Sequence, residues 1–468
     1  MSRLPHIAVL GGGPAGCGAA YQLRRAGKAT VTLLEKQDVV GGNAASFQWG
    51  GQWLDYGSHR LHHTVAPNIL ADIQAMLGDD FGDFARHGRI RLRGEWLHFP
   101  IQTTDLLRRL DKGFALGMAR DMVVSKVAKP AEGDSFASVL QANLGPTMSE
   151  HFYFPYARKM WGHEPEALSA IQARKRVTAG SFGKLIKRLL KPVGGGKYYY
   201  MREGYGQISR AYAQHAATLG SEIALGWGAT CIEPSPVEGY TWRVTAERDG
   251  ERRTVDADYI WSTIPITLLA RMMPGAPDPK VVQASQSIAY RAMVLVYVQL
   301  PVHQYTTTDA HYFPEENVRV TRLSEPKNYF RSTEPRGTTV LCGEYPCTIG
   351  DELWTATDEQ LAERMARDAA TAAIPFPAKP KDVLIRRLPQ AYPIYLRGYE
   401  VPLGTLDDWA AAQRNVLVYG RQGLFAHDNT HHALYMAYSA VDCLDGMSFD
   451  QAKWGGYRQV FKTHVVED

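Results

Sequence analysis

Nine consecutive residues, DYGSHRLHH at positions 55–63, place three histidines, an arginine and an aspartate close together. Histidine and carboxylate side chains are common metal ligands, and the same groups exchange protons in acid/base catalysis. A metal site would need a completing ligand cluster elsewhere, and the sequence contains neither an HExxH motif nor a pair of CxxC motifs. The stretch therefore predicts no metal site, and its role depends on the elements around it.

The clearest chemical motif is a glycine turn near the start of the chain. Gly11, Gly13 and Gly16 form GxGxxG between the apolar segment IAVL and the helical segment AAYQLRRAG. A second apolar segment, TVTLLEK, carries Glu35 at its end. In dinucleotide-binding units such glycines allow a tight turn, close approach of a pyrophosphate and close helix packing, while the acid binds a ribose. The start of the chain is therefore predicted to be a dinucleotide-binding βαβ unit.

Composition limits the classes to which the chain can belong. The chain has 468 residues, 45% hydrophobic and 21% charged, as expected for a soluble globular protein of two or three domains. A formal net charge of +4 without a basic block argues against a nucleic-acid partner. Five scattered cysteines predict a reducing, cytoplasmic location, and no apolar run is long enough for a membrane span. No feature of the sequence indicates an oligomeric state.

Strand and helix patterns divide the chain into five predicted segments. Strand-loop-helix patterns at both ends predict a nucleotide-binding domain that is interrupted by substrate-facing regions. A hairpin is expected at 89–101, with Gly94 at its turn. The segments are 1–100, 198–285 and 381–468 for the nucleotide-binding domain, 101–197 for a mostly helical substrate region, and 286–380 for a β-rich substrate region.

The residues after the second strand resemble those of a known superfamily. GGNAASF at 41–47 resembles the paired glycines of the glutathione-reductase-type FAD proteins, although Asn43 stands where a positive residue is frequent. A separate nicotinamide domain would need a second GxGxxG, and the sequence has none. The resemblance implies an α/β protein with a glutathione-reductase-type FAD-binding Rossmann domain, an inserted helical region and a mixed β-sheet substrate domain. FAD is the expected cofactor.

Further segments resemble the UDP-galactopyranose mutases, which share a clan with the amine oxidases and the protoporphyrinogen oxidases. Each match is modest, but together their order and spacing are fairly specific and extend from residue 7 to about 442. The matching segments are FYFPYARKMWG (152–162), ARKRV (173–177), YYYMREGYGQIS (198–209), NVRVTRLSEPKNYF (317–330), RRLPQAYPIY (386–395) and GRQGLFAHDNTHHALYMAYSAVD (420–442).

The resemblance also gives the opening stretch a role. In this clan a D-x-G-x-H turn packs against the isoalloxazine ring, which implies that Gly57 allows close approach and that His59 lies near N5. The mutase pattern N-x-D-H-S reads Asn429 to Ala433 here without its aspartate and serine, and should begin a helix that faces the pyrimidine edge. The implied FAD-binding residues are Gly11, Gly13, Pro14, Ala15, Gly16, Glu35, Lys36, Gly42, Asn43, Gly57, Ser58, His59, Gly420, Arg421, Asn429, Thr430 and His431.

Two arginines are the implied ligands of a substrate diphosphate. Arg176 and Arg319 match the mutase arginines that bracket the sugar-nucleotide diphosphate, and two guanidinium groups suit diphosphate oxygens. Taken singly, either arginine could instead form a surface ion pair. The implied substrate-binding aromatic residues are Tyr156, Trp161, Tyr345 and Tyr392. Of these, Tyr156, Trp161 and Tyr345 could alternatively be packing residues.

The resemblance implies a redox-neutral reaction on a nucleotide-diphosphate hexose. Reduced flavin N5 would attack the anomeric carbon during pyranose/furanose interconversion, with His59, Arg176 and Arg319 as the catalytic side chains. Such an enzyme needs an external electron donor for its flavin. The alternative is an FAD-dependent oxidoreductase, of the amine oxidase or protoporphyrinogen oxidase type, that removes a hydride from a small organic substrate. A non-enzymatic flavin-binding regulator is a third class.

Overall fold

The computed structural model describes residues 3–99, 105, 109, 111–127, 133–176, 196–273 and 278–466, without the side chains of residues 122, 125–127 and 176. The strands are β1 (His6–Leu10), β2 (Thr30–Glu35), β3 (Ser46–Trp49), β4 (Gln52–Asp55), β5 (Phe81–Ala85), β6 (Gly88–Leu92), β7 (Glu95–Phe99), β8 (Lys197–Met201), β9 (Glu222–Leu225), β10 (Gly228–Pro234), β11 (Trp242–Arg248), β12 (Glu251–Ala257), β13 (Tyr259–Ser262), β14 (Ala289–Leu300), β15 (Ala310–Tyr312), β16 (Arg322–Ser324), β17 (Thr339–Cys347), β18 (Asp382–Ile394), β19 (Val416–Val418), β20 (Leu444–Asp445) and β21 (Ser448–Phe449).

Helices lie between these strands and are concentrated in the first half of the chain and at its end. None of those described combines the length and the apolar character that a membrane crossing requires. The α-helices are α1 (Pro14–Arg25), α2 (Pro67–Leu77), α3 (Lys112–Val127), α4 (Phe136–Met148), α5 (Phe154–Trp161), α6 (Ala170–Arg176), α7 (Gln207–Thr218), α8 (Ile266–Met272), α9 (Pro279–Ser287), α10 (Glu352–Thr355), α11 (Asp358–Thr371), α12 (Glu400–Ala412), α13 (Gly420–Gly423), α14 (Thr430–Asp442) and α15 (Gln451–Lys462).

A five-stranded sheet in the order β19-β13-β1-β2-β9 forms the nucleotide-binding frame. Strand β1 pairs in parallel with both β2 and β13, and α1 connects β1 to β2 in the crossover that parallel pairing requires. The apolar run of β1 suits a strand covered on both faces. Because its strands come from the start, middle and end of the chain, this sheet is assembled from three separate segments.

A seven-stranded mixed sheet in the order β18-β14-β17-β16-β15-β6-β7 forms the second layer. Its long strand β14 is buried on both faces, and its side chains alternate between two apolar clusters. One cluster receives Ala292, Val294, Val296 and Val298. The other receives Met293, Leu295 and Tyr297. The predicted α/β class, a Rossmann-type sheet with an inserted helical region and a mixed sheet, is confirmed.

The predicted hairpin at 89–101 is present as β6 and β7, which pair antiparallel. Its turn residues Arg93 and Gly94 both have positive φ, at 54° and 83°, as two-residue hairpin turns require. The sequence assigns this hairpin to the nucleotide-binding segment 1–100. In the structure the hairpin extends the mixed sheet, because β6 pairs in parallel with β15.

The helical region is fastened to the mixed sheet by a buried lysine. Nζ of Lys159 in α5 lies within hydrogen-bond distance of the backbone oxygens of Phe313, Glu315, Val318 and Val320, at 2.5, 2.9, 2.6 and 3.0 Å, and these four acceptors share its three N–H groups. Only 5% of Lys159 is exposed, and these carbonyls lie in the irregular segment between β15 and β16. The ammonium group therefore replaces the strand hydrogen bonds that this segment does not form.

We expect Lys159→Met to lower the free energy of unfolding by about 3–5 kcal/mol, because it leaves several buried carbonyls without a donor. Urea titration measures the change. Lys453→Met is the matched control: Lys453 is a surface lysine paired with Asp442, and its loss should cost less than about 1 kcal/mol. Equal losses in the two variants would contradict the role given to Lys159.

Candidate active site

A cavity of about 800 Å³ lies where the parallel sheet, the helical region and the mixed sheet meet. It opens beyond the carboxyl ends of β1 and β2, the edge at which open parallel sheets bind ligands, and its volume is within the usual range for small-molecule sites. The predicted residues that line it are Gly11, Gly13, Pro14, Ala15, Glu35, Lys36, Gly42, Asn43, Ser58, His59, Tyr156, Trp161, Tyr392, Arg421, Asn429 and Thr430.

The glycine turn has the close contacts that the motif predicts. A Cβ at Gly16 would lie 1.9 Å from the Gly11 oxygen, and Gly11 has a φ of +98°. By contrast, a Cβ at Gly13 would meet nothing within 4 Å. Gly13 is the N-cap of α1 and offers no side-chain cap, so the first N–H groups of this helix remain available to an anion. The fold therefore requires two of these glycines, and the third leaves space for a ligand.

Glu35 closes the same end of the cavity. Its carboxylate accepts hydrogen bonds from the backbone N–H of Gly12 at 2.7 Å and of Gln37 at 2.8 Å. These two bonds hold the carboxylate against the glycine turn, and its remaining lone pairs are available to ribose hydroxyls. The backbone of the paired glycines is joined to the turn as well, since Gly41 donates to the Gly12 oxygen at 2.7 Å.

The turn at 55–59 is held by the buried side chain of Asp55. Its carboxylate accepts hydrogen bonds from the hydroxyls of Ser46 and Tyr200 and from the backbone N–H of Tyr205. Burial raises the pKa of Asp55 to about 6 in spite of these bonds. Asp55 is therefore structural, and it fixes the hairpin β3–β4 that leads into the turn.

His59 is a neutral hydrogen-bond donor in the cavity wall. Its Nε2 lies 2.9 Å from the Asn43 oxygen and 3.1 Å from the Tyr56 oxygen, so this nitrogen carries the proton. Burial, followed by the charge of Arg322, lowers the pKa of His59 to about 4. The ring is stacked on Tyr205 at a centroid distance of 5.4 Å. His59 thus joins the paired-glycine segment to the turn, which suits a role in geometry better than one in proton transfer.

The comparisons with known proteins agree with this architecture. Residues 14–440 match the family model described as flavin-containing amine oxidoreductase. The chain belongs to this family. As a member of it, the protein is a flavin-dependent enzyme, and the resemblance to the mutase-containing clan is confirmed. No curated protein matches the sequence.

Solved structures show the same fold. A reduced UDP-galactopyranose mutase is similar over 99% of this chain and 100% of its own, with a TM-score of 0.81 and 20% identity. A protein described as a protoporphyrinogen oxidase from Exiguobacterium sp. 255-15 has 21% identity and a TM-score of 0.71, covering 94% of this chain and 98% of its own. A putrescine oxidase bound to putrescine has 17% identity and a TM-score of 0.66, with the same coverage. Identities this low establish the fold alone.

An ion pair in the cavity wall was not predicted from the sequence. Arg322 donates from Nε and Nη2 to the two carboxylate oxygens of Glu344, each at 2.8 Å, and the backbone N–H of Ser58 donates to the same carboxylate at 2.7 Å. Arg322 and Glu344 are direct partners in the pairing of β16 with β17. An arginine and a glutamate that are the only charged residues in two buried strands, RLS and TVLCGEYPC, are the sequence signal that could have revealed them.

Two predicted substrate residues, Arg319 and Tyr345, are not among those that line the cavity. Tyr345 follows Glu344 in β17, and successive strand residues face opposite sides, so its hydroxyl instead reaches Asp368 at 3.0 Å. Arg319 was expected in a strand, but its backbone N–H is bound by Asp368 at 3.0 Å and its Nη2 donates to the Pro346 oxygen at 3.2 Å.

Arg176 is the last residue of α6, and its side chain lies outside the described part of the chain. Its contact with a substrate diphosphate stays a prediction.

The remaining predicted substrate residues form one aromatic wall of the cavity. Trp161 contacts Tyr392 edge to face at a centroid distance of 5.9 Å, and Tyr156 lies in the same wall.

The helix expected after Asn429 is present as α14, with Asn429 at its N-cap. Its first turn lies at the cavity, but the side chain of His431 does not line it. The His431 ring instead points to Thr64, with 3.3 Å between Nε2 and Oγ1, and burial lowers its pKa to about 3. The flavin contact predicted for His431 stays a prediction, and in this structure the ring packs beside Thr64. Gly16, Gly57 and Gly420 likewise lie behind the lining residues.

Asp428, His432 and His464 are a group in the described part of the chain whose ligand atoms lie within 4.8 Å of one another. The rings of His432 and His464 are stacked at 4.1 Å with an interplanar angle of 12°. Their nitrogen lone pairs therefore lie in two parallel planes and cannot converge on one ion. In addition, Nδ1 of His432 accepts the N–H of Asn429 in the helix cap. This geometry suits a packed cluster and not a metal centre.

Gly13→Ala should separate folding from flavin binding, because the added methyl group meets open space in the protein but would crowd a bound pyrophosphate. We expect an unchanged melting temperature for the apoprotein and at least a tenfold loss of flavin affinity. Flavin content after purification and a titration with added flavin measure the effect. Gly404→Ala, where a Cβ also meets nothing within 4 Å, is the control. Normal flavin content in Gly13→Ala would contradict a pyrophosphate site at the N-terminus of α1.

His59 should make stability depend on pH. Its pKa falls from about 6.5 unfolded to about 4 folded, so its contribution is complete above pH 6.5 and is lost as the pH falls to 4. We expect this contribution to amount to about 2–3 kcal/mol. Urea titrations at pH 7, 5.5 and 4 compare the wild type with His59→Gln, which keeps a donor for the two carbonyls. The same pH slope in both proteins would contradict the assignment.

Proposed function

We propose that the protein is an FAD-dependent enzyme that interconverts the pyranose and furanose forms of a nucleotide-diphosphate hexose. The observation that carries the proposal is the charge of the cavity wall. Its cationic lining residues outnumber the acidic ones, and all three acids, Glu35, Glu344 and Asp428, already have hydrogen-bond partners in the protein. The cationic residues are Lys36, Arg60, Arg86, Arg322, Arg386, Arg387 and Arg421.

This lining favours an anionic substrate over a protonated amine. A cavity with an excess of guanidinium groups raises the local potential, which attracts phosphate or carboxylate groups and repels ammonium groups. The putrescine oxidase that shares this fold binds a diamine, so an equivalent substrate would meet repulsion here. The similarity to UDP-galactopyranose mutase over nearly the whole chain supports a sugar nucleotide as the anion.

The expected cofactor contacts fit FAD. The N-terminus of α1 and the space over Gly13 suit a pyrophosphate, and Glu35 suits a ribose of the adenosine half. Ser58 and His59, which follow Gly57 in the turn, line the cavity and suit packing against a flat ring. When bound in its reduced form, the flavin supplies the nucleophile of a redox-neutral isomerisation. An external electron donor would be needed to keep it reduced.

The side chains of the cavity wall would then bind and orient the substrate and keep water out of the site. The aromatic wall of Tyr156, Trp161 and Tyr392 offers faces for a sugar or a base. The Arg322–Glu344 pair presents hydrogen-bonding groups next to the turn, where they suit sugar hydroxyls and phosphate oxygens. His59 holds the turn in place through its neutral ring and is not required to transfer a proton.

The second candidate is an FAD-dependent oxidoreductase acting on a carboxylate-bearing substrate. The same cationic lining favours it, because carboxylates and phosphates are both recognised by arginine. Membership of the flavin-containing amine oxidoreductase family supports this class too. The two candidates differ in whether turnover consumes an electron acceptor.

The deciding assay incubates the dithionite-reduced protein with UDP-, GDP- and TDP-hexopyranoses and separates the products by chromatography. We expect the furanose form of one nucleotide sugar, formed without net flavin oxidation. Absence of isomerisation with every nucleotide sugar, together with oxygen consumption on another substrate, would reject the mutase proposal in favour of the oxidoreductase.

Removal of the Arg322–Glu344 pair tests its contribution. The double variant Arg322→Met/Glu344→Gln leaves no buried unpaired charge, and we expect kcat/KM to fall by about 10²-fold or more while flavin content is kept. Arg319→Met is the matched control, three residues away and outside the cavity, and should stay within about twofold of the wild type. A larger loss in Arg319→Met than in the double variant would restore the original prediction for Arg319.

A further inference from the structure

Arg60 is a cavity residue that neither the glycine motif nor the family resemblance assigned to a ligand. It directly follows His59 in the turn and lines the cavity. Its guanidinium carbon lies 5.2 Å from the ring centroid of Tyr198 and 4.8 Å from that of Tyr329. Its Nη1 donates to the hydroxyl of Tyr312 at 3.1 Å. Three tyrosines therefore fix the position and the plane of this guanidinium group.

The charge of Arg60 has no carboxylate partner. Among the described residues no aspartate or glutamate oxygen lies within the 4.0 Å of an ion pair with it, and its Nε is buried without a hydrogen-bond partner. Asp309 is a nearby acid, but its Oδ2 accepts the His87 N–H at 2.8 Å and faces the Tyr198 hydroxyl at 3.4 Å. The other guanidinium beside the turn, that of Arg322, is already neutralised by Glu344.

A guanidinium enclosed by aromatic rings loses most of its hydration, and contacts with ring faces replace only part of it. Such a group is retained at low cost when an anion completes its hydrogen bonds. The tyrosine contacts also leave the cation preorganised, so an incoming oxyanion meets a donor that needs no rearrangement.

We propose that Arg60, oriented by Tyr312, forms an oxyanion-binding subsite that takes an oxygen of the substrate. The proposal rests on the proposed function for the identity of the ligand, but not for the existence of the subsite. Two sources share the required chemistry: the diphosphate of a sugar nucleotide, or a carboxylate on its sugar ring. The Arg322–Glu344 pair, whose net charge is zero, would then form hydrogen bonds with the uncharged sugar hydroxyls.

Isothermal titration calorimetry with the flavin-loaded full chain tests the subsite. The probes are inorganic pyrophosphate, UDP, a UDP-hexose and the matching UDP-hexuronate. The variants are Arg60→Met and Arg60→Lys. Arg60→Met keeps a side chain about as long as the aliphatic part of arginine. Arg60→Lys keeps the positive charge but loses the planar guanidinium group that can donate two parallel hydrogen bonds. Arg252→Met is the control for net charge, because Arg252 is 77% exposed in its side chain and lies on the small sheet of β10, β11 and β12.

We expect Arg60→Met to weaken anion binding by roughly tenfold to a hundredfold, the range for a charge-assisted hydrogen bond. Arg60→Lys should be intermediate, and Arg252→Met should match the wild type. A loss for pyrophosphate, UDP and both sugar nucleotides identifies the diphosphate as the bound group. A loss confined to the hexuronate identifies the sugar carboxylate.

Unchanged binding of all four probes in Arg60→Met, with flavin content and melting temperature retained, would overturn the subsite. A changed flavin reduction potential with unchanged probe binding would also overturn it, since Arg60 would then be a counter-ion of the reduced flavin. Failure of the proposed function gives a different result. In that case no nucleotide sugar is isomerised, although pyrophosphate binding still depends on Arg60. If Arg60→Met does not fold, Tyr312→Phe removes the orienting hydroxyl, and a several-fold weaker pyrophosphate affinity is expected.

Discussion

The hydrogen bonds of Asp55 are the constraint on which the active site depends. Its side chain joins the hairpin β3–β4 to β8 and to the segment before α7, and its backbone oxygen accepts the hydroxyl of Tyr297 in β14 at 2.6 Å. One residue therefore connects the nucleotide-binding frame to the mixed sheet. The turn that follows it carries Ser58, His59 and Arg60, and each of these contacts a different part of the cavity.

The cavity shows how one frame can serve different chemistry. The glycine turn, Glu35 and α1 make contacts that any flavin enzyme of this fold could use, because they concern the cofactor end. The opposite wall is built from aromatic and charged side chains of the helical region and the mixed sheet. In this protein that wall is rich in arginine, so the charge of the ligand is constrained more strongly than its shape.

Much of the cofactor end was predictable because its residues are close in sequence. Gly11, Gly13 and Gly16 stand in one motif, and the turn at 55–59 is a second local pattern. The residues of the substrate wall were harder to predict from the sequence, because their position depends on which face of a strand each side chain occupies. The mutase resemblance points to Arg319, which lies in one apparent strand with Arg322, yet Asp368 binds the backbone at Arg319 and Val320 and the regular strand begins only at Arg322. The surroundings of Arg60 were not predictable from its local sequence, because its tyrosine partners come from residues 198, 312 and 329, far along the chain.

The alternation of side chains in β14 has a consequence for variation within this fold. Val294 and Val296 face a core that shares one described residue, Ile385, with the cavity wall, whereas Leu295 and Tyr297 face the cluster that includes Tyr56, Leu388 and Tyr392 of that wall. Neighbouring positions of β14 therefore face different structural requirements. Tolerance to substitution along β14 should have a period of two, with one set of positions governing folding and the other free to adapt the binding chamber to a new ligand.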